Sequence, residues 1–318
     1  MGVESTQQFQ PIDQLQAQIM LTAVLRSLFA GSLIVAGSAA TAAGFDPVEP
    51  YEYAPDYLRG TLGYFHQDDD ILGDFSAFYA DLDAERQYGN ILAFGGIGHL
   101  NGDGSDNTYL ELGAGYYVTP SVLVGASVLA FDNDLNSGTD VSVFAQYEGS
   151  NSAIALSYND PEFGDDYLIL SGEYMFSDQT SVFGGWYHES GYNNLTVNLE
   201  HNAGATTYNL IVDVDDDDYK GALLYLEHQF NDRTRVFGGI GASSDTGFSG
   251  RIAAVGAGYK VADNLWLDGS IGRYDTNSND GNVLAITLTY EVGKSKRVER
   301  RVFNSYRDIY EGIGYLDF

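Results

Sequence analysis

The sequence contains no cysteine, which excludes a disulfide scaffold and any thiolate metal site. Basic residues are also scarce: 15 Lys and Arg stand against 45 Asp and Glu, giving a formal net charge of −30. Because nucleic acids are bound by clustered basic residues, we expect no nucleic-acid partner. Proline is rare as well, with 6 residues in a chain of 318.

Glycine and aromatic residues are abundant instead, with 38 Gly, 24 Tyr and 17 Phe. This composition, with so little proline, favours many short strands with aromatic anchors over helices. A strongly acidic chain can be disordered, but 44% of these residues are hydrophobic and they recur in a regular pattern. We therefore expect an all-β fold.

Residues 20–42 have the pattern of a secretory signal peptide. Arg26 precedes the apolar run Leu28–Ala36, and the small residues Ala40-Thr41-Ala42 form a cleavage site. The mature chain is predicted to begin near Ala43, residues 1–19 are predicted to be an over-extended start, and residues 43–56 a periplasmic segment. The apolar run is short for about 30 Å of hydrocarbon, and no later run has the length of a spanning helix. If the mature chain enters a membrane, it must do so as a β-barrel.

A hairpin pattern recurs along the mature chain: an alternating strand ends in an aromatic residue, a tight polar turn follows, and a second strand begins. The first clear copy is Leu112–Val118 before Thr119-Pro120-Ser121, and others precede residues 178, 232 and 263. Longer loops rich in Asp, Asn and Gly lie between the short turns. Such alternation is typical of outer-membrane barrels, whose periplasmic turns are short and whose outer loops are longer.

The segments between these signals predict a transmembrane antiparallel up-and-down barrel of about sixteen strands, with fourteen or twelve as alternatives. The barrel is predicted to span residues 57–293, and a basic periplasmic tail to span residues 294–318. Val302 to Tyr310 in this tail could form a short helix. A soluble β-sandwich or solenoid would also alternate, but the polar face here carries many glycines and acids, as a roomy interior would.

The acidic residues test the strand registers independently, because a carboxylate facing lipid is costly. Registers set by apolar residues alone place the strand acids on the opposite, inward face, except Glu189, whose register at a strand end is uncertain. His228 is an exception, since it shares a face with Leu224 and Leu226, so it must lie near the membrane interface or mark a bulge. The predicted pore-lining residues are Asp81, Asp83, Glu85, Glu111, Glu148, Glu173, Glu200, Asp213, Glu227, Asp268 and Glu291, with the bases Arg59, Arg235 and Lys260.

The signal peptide, the repeated hairpins and the closing strand Val283–Tyr290 together resemble Gram-negative outer-membrane β-barrels of the porin type. The resemblance implies an outer-membrane location, contact with lipid and lipopolysaccharide, and recognition by the barrel assembly machinery. Such barrels end in an aromatic residue, a role that either Tyr290 or Phe318 could take in this sequence. Many porins are trimers, so a homotrimer is a further possibility that the resemblance raises.

Sequence motifs for catalysis and for metal or cofactor binding are weak or missing. There is no phosphate-binding loop, nucleophile elbow or zinc-binding His pair, so we predict no metal, no cofactor and no enzyme. His188-Glu189-Ser190 is the one suggestive trio, but neighbouring strand residues point to opposite faces and cannot simply converge.

Strand number decides the predicted function, because sixteen strands can enclose an aqueous channel whereas eight are filled by side chains. We predict a porin-like channel for passive diffusion of small hydrophilic solutes. The acidic lining should favour cationic and neutral solutes. Two other classes stay open: a non-conducting barrel that acts as an adhesin or structural protein, and, less favoured, a barrel enzyme.

Overall fold

A computed structural model describes residues 55–68, 74–102, 105–134, 136–245, 248–277 and 279–313. The predicted signal peptide, the segments on either side of it up to residue 54, and the last five residues lie outside the described residues. Within the described ranges, no helix is long and apolar enough to cross a membrane.

Sixteen antiparallel strands form one closed barrel in which each strand pairs with its neighbours in sequence and β1 pairs with β16. This confirms the predicted fold and strand number. The strands are β1 (Tyr57–Gln67), β2 (Phe75–Tyr88), β3 (Ile91–Gly102), β4 (Ser105–Thr119), β5 (Val122–Asn133), β6 (Ser137–Glu148), β7 (Ser152–Pro161), β8 (Tyr167–Ser177), β9 (Thr180–Glu189), β10 (Tyr192–Ala203), β11 (Thr206–Asp215), β12 (Lys220–Asn231), β13 (Thr234–Asp245), β14 (Phe248–Ala262), β15 (Leu265–Thr276) and β16 (Asp280–Gly293). Among the described residues, the helix α1 (Val298–Ile313) follows the last strand.

The four short turns highlighted by the sequence all join neighbouring strands, and each follows a one-residue register shift in the preceding strand. The extra residues are Val118, Phe176, Phe230 and Val261, and all four side chains are exposed. Such bulges increase local twist just before the chain reverses. His228 lies two residues before the bulge at Phe230, close to the end of β12, which accounts for its outward position.

The opposite loops are shorter than the sequence pattern predicts, because the strands continue into the acidic segments. For example, β5 extends to Asn133 and β6 begins at Ser137, although the sequence indicated a loop from Asp132 to Asp140. Ladder pairing uses backbone groups, so a polar side chain beyond the lipid does not prevent it. Loop composition therefore marked the polar ends of the strands as well as the loops.

The outward face of the barrel is an apolar belt that continues from strand to strand. Neighbouring exposed residues pair across the sheet, as Leu112 does with Val128 and Val255 with Ile271. Exposed aromatic side chains lie near the short-turn ends of the even-numbered strands. They are Tyr88, Tyr116, Tyr147, Tyr174, Phe176, Phe230, Tyr259 and Tyr290. An apolar belt bordered by an aromatic girdle is what a barrel in lipid requires.

The apolar belt predicts that a charged substitution on the outward face destabilises the barrel by an amount that depends on its depth in the membrane. Leu112 is in the middle of β4 and Val118 at its short-turn end, and both are about equally exposed. We expect Leu112→Arg to lower the free energy of unfolding by about 2–4 kcal/mol and Val118→Arg by about 0–1 kcal/mol. Urea unfolding of the barrel refolded in lipid vesicles measures both values, and equal losses would contradict a lipid-facing belt.

Candidate functional site

The barrel interior is lined by polar and acidic side chains that the strand alternation turns away from the belt. Four acids on one part of the wall are almost completely buried, each 5% exposed or less. We call them the acidic wall: Asp81, Asp83 and Glu85 of β2, and Glu111 of β4. Carboxylates this deeply buried require partners of opposite charge or hydrogen-bond donors.

Their partners come from the end of the chain. Gly293 has a positive φ of 80°, a conformation that glycine adopts without strain, and there the chain leaves β16. The Ser295 hydroxyl and the Lys296 backbone N–H donate to the two oxygens of Glu85, at 2.5 Å and 2.6 Å. Gln146 accepts from the Val298 N–H at 3.1 Å and so satisfies one free donor of the first helical turn. These contacts direct α1 into the barrel.

The sequence predicted a basic periplasmic tail over residues 294–318, and the structure places its helical part, Val298–Ile313, against the inner wall of the barrel. The tail leaves the barrel at the short-turn end, then turns back into it. The physical reason is charge: residues 294–313 contain six basic residues, and the interior next to them is acidic. We call α1 the tail helix.

One face of the tail helix forms ion pairs with the acidic wall. Arg300 Nη2 lies 3.1 Å from Asp83 and 3.2 Å from Glu111. Arg307 pairs with Asp81 in the same way. Just before the helix, Arg297 Nη1 lies 3.1 Å from Glu111. The buried acids of β2 and β4 are thus matched by guanidinium groups, which bind carboxylates with several donors each.

Further ion pairs connect other parts of the wall to the tail helix. Arg301 lies 3.0 Å from Glu173 of β8 and 3.4 Å from Glu148 of β6. At one position the signs are reversed, because the base, Arg59 of β1, is on the wall and its partner Asp308 is on the helix. Charges of both signs therefore hold the helix on several sides.

The other face of the tail helix is apolar. Val298 and Val302 pack against Ala153 and Ala155 of β7. Farther along, Ile309 and Ile313 form one cluster with residues of four strands, namely Ile211, Leu223, Tyr225, Phe237 and Ala254. A cavity of about 20 Å³ near Tyr310 adjoins this packing, which is close to the space that one water molecule needs.

The helix arginines keep their charge inside the barrel. Burial lowers the pKa of Arg297, but the carboxylates of Glu111, Glu299 and Glu85 together raise it by more, so the net direction is upward. For Arg300, burial again lowers the pKa, but Asp83 and Glu111 raise it, and the resulting pKa lies above the ordinary value. Both guanidinium groups therefore interact with the wall as full positive charges.

The remaining predicted lining residues also point inward, away from the helix charges. Arg235 of β13 pairs with Glu227 at 3.1 Å and Asp268 at 2.7 Å, and its guanidinium lies 4.5 Å from the Trp266 ring centroid. Lys260 is next to Asp263 at 4.0 Å.

The last three acids of that prediction also lie on the inner wall. Asp213 accepts hydrogen bonds from Asn194 at 2.8 Å and Thr196 at 3.1 Å. Glu200 accepts one from Asn202 at 2.8 Å, and Glu291 is paired in register with Arg59.

The sequence identified the inward acids but not the basic groups that pair with five of them, Asp81, Asp83, Glu111, Glu148 and Glu173. Those groups are the tail bases, which the sequence showed as a basic stretch after the last strand. A stronger signal was available: Val298, Val302, Ile309 and Ile313 form one stripe on a helix, so its apolar face required a surface to cover it. The helix is accordingly longer than the segment from Val302 to Tyr310 that the sequence indicated.

The trio His188-Glu189-Ser190 does not converge, as its strand position predicted. The His188 ring stacks on Trp186 with centroids 5.3 Å apart, on the outward face. Glu189 points inward and accepts a hydrogen bond from the Tyr187 hydroxyl at 2.8 Å. Among the described residues, no group of three or more His, Asp or Glu side chains is arranged to hold a metal ion.

Comparison with known proteins gives a likeness of fold. No family model matches the sequence, and no curated protein matches it. Solved structures do match: OccK7 (OpdD) of Pseudomonas aeruginosa has a TM-score of 0.53 at 12% identity, covering 75% of this chain and 99% of that one. The outer membrane protein OpdK of Pseudomonas aeruginosa has a TM-score of 0.52 at 10% identity, covering 74% and 98%.

A BenF-like porin from Pseudomonas fluorescens Pf-5 has a TM-score of 0.50 at 9% identity, covering 74% of this chain and 99% of that one. The chain thus has the porin fold, as its hairpins and closing strand predicted. Together with the apolar belt, this makes it an outer-membrane type of barrel.

Breaking the inward ion pairs of Arg235 should lower the free energy of unfolding by more than breaking an exposed pair does. Arg235→Met leaves Asp268 buried without its partner, so we expect the free energy of unfolding to fall by about 3 kcal/mol. The matched change Lys220→Met breaks the exposed pair with Asp218 and should cost less than about 1 kcal/mol. Urea unfolding in vesicles compares the two variants. Adding Asp268→Asn to Arg235→Met should restore part of the loss, and no restoration would argue against this pairing.

Proposed function

We propose that this protein is a channel in the outer membrane of a Gram-negative bacterium that lets small hydrophilic solutes diffuse passively. The observation that supports this most directly is a closed ring of sixteen strands with a polar interior and an apolar exterior. A ring of this size is wide enough for an aqueous path. The BenF-like protein of the same fold is itself described as a porin.

A route beside the tail helix is supported by a cavity of about 580 Å³ at the short-turn end. It lies between the turns after β2 and β4 and the beginning of the tail, with Gln87, Tyr117, Glu148, Lys296 and Arg301 among its lining residues. We propose this cavity as the periplasmic mouth of the channel. Both acidic and basic side chains line this cavity, so the mouth itself should discriminate only weakly between cations and anions.

Cation preference is the finer part of the proposal and rests on the acids that the tail does not neutralise. Asp213 and Glu200 lie on the inner wall, where their hydrogen-bond donors are the neutral side chains of Asn194, Thr196 and Asn202. A lining with an excess of one sign concentrates counter-ions. We propose that the path favours cationic and neutral solutes over anions.

A second candidate is a non-conducting barrel that acts as an adhesin or structural protein. The tail helix favours it, because the helix occupies interior space that a freely open porin would leave to water. Under either proposal the belt contacts outer-membrane lipid and lipopolysaccharide, the assembly machinery recognises the strands, and a homotrimer stays a possibility.

Single-channel recording in planar bilayers tests the channel proposal. We expect discrete conductance steps and, under a salt gradient, a reversal potential of the sign that indicates cation preference. Asp213→Asn with Glu200→Gln should move this potential towards zero, because two inner charges are removed. The control Asp178→Asn removes an exposed charge in the short turn between β8 and β9 and should leave the potential unchanged. An inserted barrel that never conducts would support the second candidate.

A further inference from the structure

We infer that the tail helix is a removable plug, held in the barrel by ion pairs, and that its release widens the conducting path. The inference rests on the proposed channel function and adds a closed and an open state to it. The position of the helix, its side-chain contacts, the polar wall beneath it and its attachment to the barrel all support this inference.

The helix bridges the barrel from one side to the other. Within about one helical turn, Arg307 pairs with Asp81 of β2, and Ile309 packs in a cluster that includes Ile211 of β11. In a ring of sixteen strands, β2 and β11 lie on nearly opposite sides. A helix with side chains is about 10–12 Å wide, so it obstructs much of the interior that it crosses.

Side chains, not a backbone ladder, hold the helix against the wall. The strands are joined edge to edge by backbone hydrogen bonds, whereas the contacts of the helix with the wall are ion pairs, apolar packing and side-chain hydrogen bonds. Asn198 donates to the Ser305 carbonyl at 2.8 Å, and Asn304 donates to the Tyr57 hydroxyl at 2.8 Å. The helix can therefore leave without breaking any strand pairing.

The wall that the helix covers is suited to water as well as to the helix. If the helix left, water would hydrate the acidic wall. The carboxylates would then exchange ion pairs with arginine for hydration, and both environments are favourable. Buried ion pairs contribute little net stability for this reason, yet the loss of one partner leaves the other charge uncompensated and is costly. Removing wall carboxylates should thus drive the helix arginines out into water.

The attachment of the helix allows such movement. It is joined to the barrel by residues 294–297 after Gly293, at the short-turn end, where the Lys294 side chain is two-thirds exposed. A released helix would therefore stay tethered on the periplasmic side. Its departure would also uncover the carboxylates of β2 and β4, so the open state should be both wider and more cation-selective.

The first experiment weakens the ion pairs from the wall side, which leaves the strand pattern intact. Asp83→Asn with Glu111→Gln removes both partners of Arg300 and the partner of Arg297. We expect conductance steps several-fold larger than those of the unchanged protein. Heat-modifiable mobility on gels confirms that the barrel is folded before recording.

The second experiment holds the helix in place by a disulfide, which is specific because the chain has no native cysteine. A Cβ at position 185 in β9 would lie 3.9 Å from Val302 Cγ1, a position that the sulfur of a cysteine at 302 can take, so Gly185→Cys with Val302→Cys places two thiols side by side for oxidation. Added to Asp83→Asn/Glu111→Gln, the oxidised pair should restore the small steps, and a reducing agent should bring back the large ones. Each single cysteine serves as a control that does not respond to the reducing agent.

A third measurement detects the helix without relying on conduction. Val302 is 2% exposed, so a cysteine at this position should react slowly with a water-soluble maleimide in the otherwise unchanged chain. With Asp83→Asn/Glu111→Gln it should react many-fold faster.

The outcomes separate the two proposals. Equal steps in all variants, with no response to oxidation and unchanged labelling, would overturn the plug while leaving the channel. Faster labelling without conduction in any inserted variant would overturn the channel, while the helix would still be removable from the wall.

Discussion

The absence of water in the bilayer core is the constraint on which this structure depends, because every backbone N–H and C=O there must find a partner within the protein. Sixteen strands meet this requirement by closing on themselves, from β1 to β16, so that the sheet has no free edge. Closure then decides the rest of the architecture. Alternate side chains face lipid and must be apolar, and those between them face inward, where polar groups and acids are tolerated.

An acidic interior creates a second problem, which the chain solves with its own C-terminal segment. Asp81, Asp83 and Glu111 are buried too deeply to rely on bulk water, and the arginines of the tail helix supply the compensating charge. The apolar stripe of the same helix covers small residues such as Ala153 and Ala155 on another part of the wall. One amphipathic helix thus satisfies two unlike surfaces, which is why it lies across the interior instead of along one side.

Local pattern predicted the strands well, because period-two alternation and tight turns are encoded within a few residues of each other. The inward position of the acids followed from the same alternation. The position of the tail helix inside the barrel was beyond such reasoning, since it is set by pairs such as Arg300 with Glu111, 189 positions apart. The bulge at Phe230 also escaped, because an extra residue is visible only when both strands are paired, although His228 marked its neighbourhood. Loop lengths were overestimated because polar composition marks the edge of the lipid, not the end of a strand.

The tail helix also has a bearing on how the molecule assembles. It contacts Arg59 of β1 on one side of the seam between the first and last strands, and β14, β15 and β16 on the other. The surface that receives it is therefore complete only when that seam has closed. The docked helix therefore connects the two edges of the seam from inside, like a clasp, and its contacts stabilise only the closed cylinder.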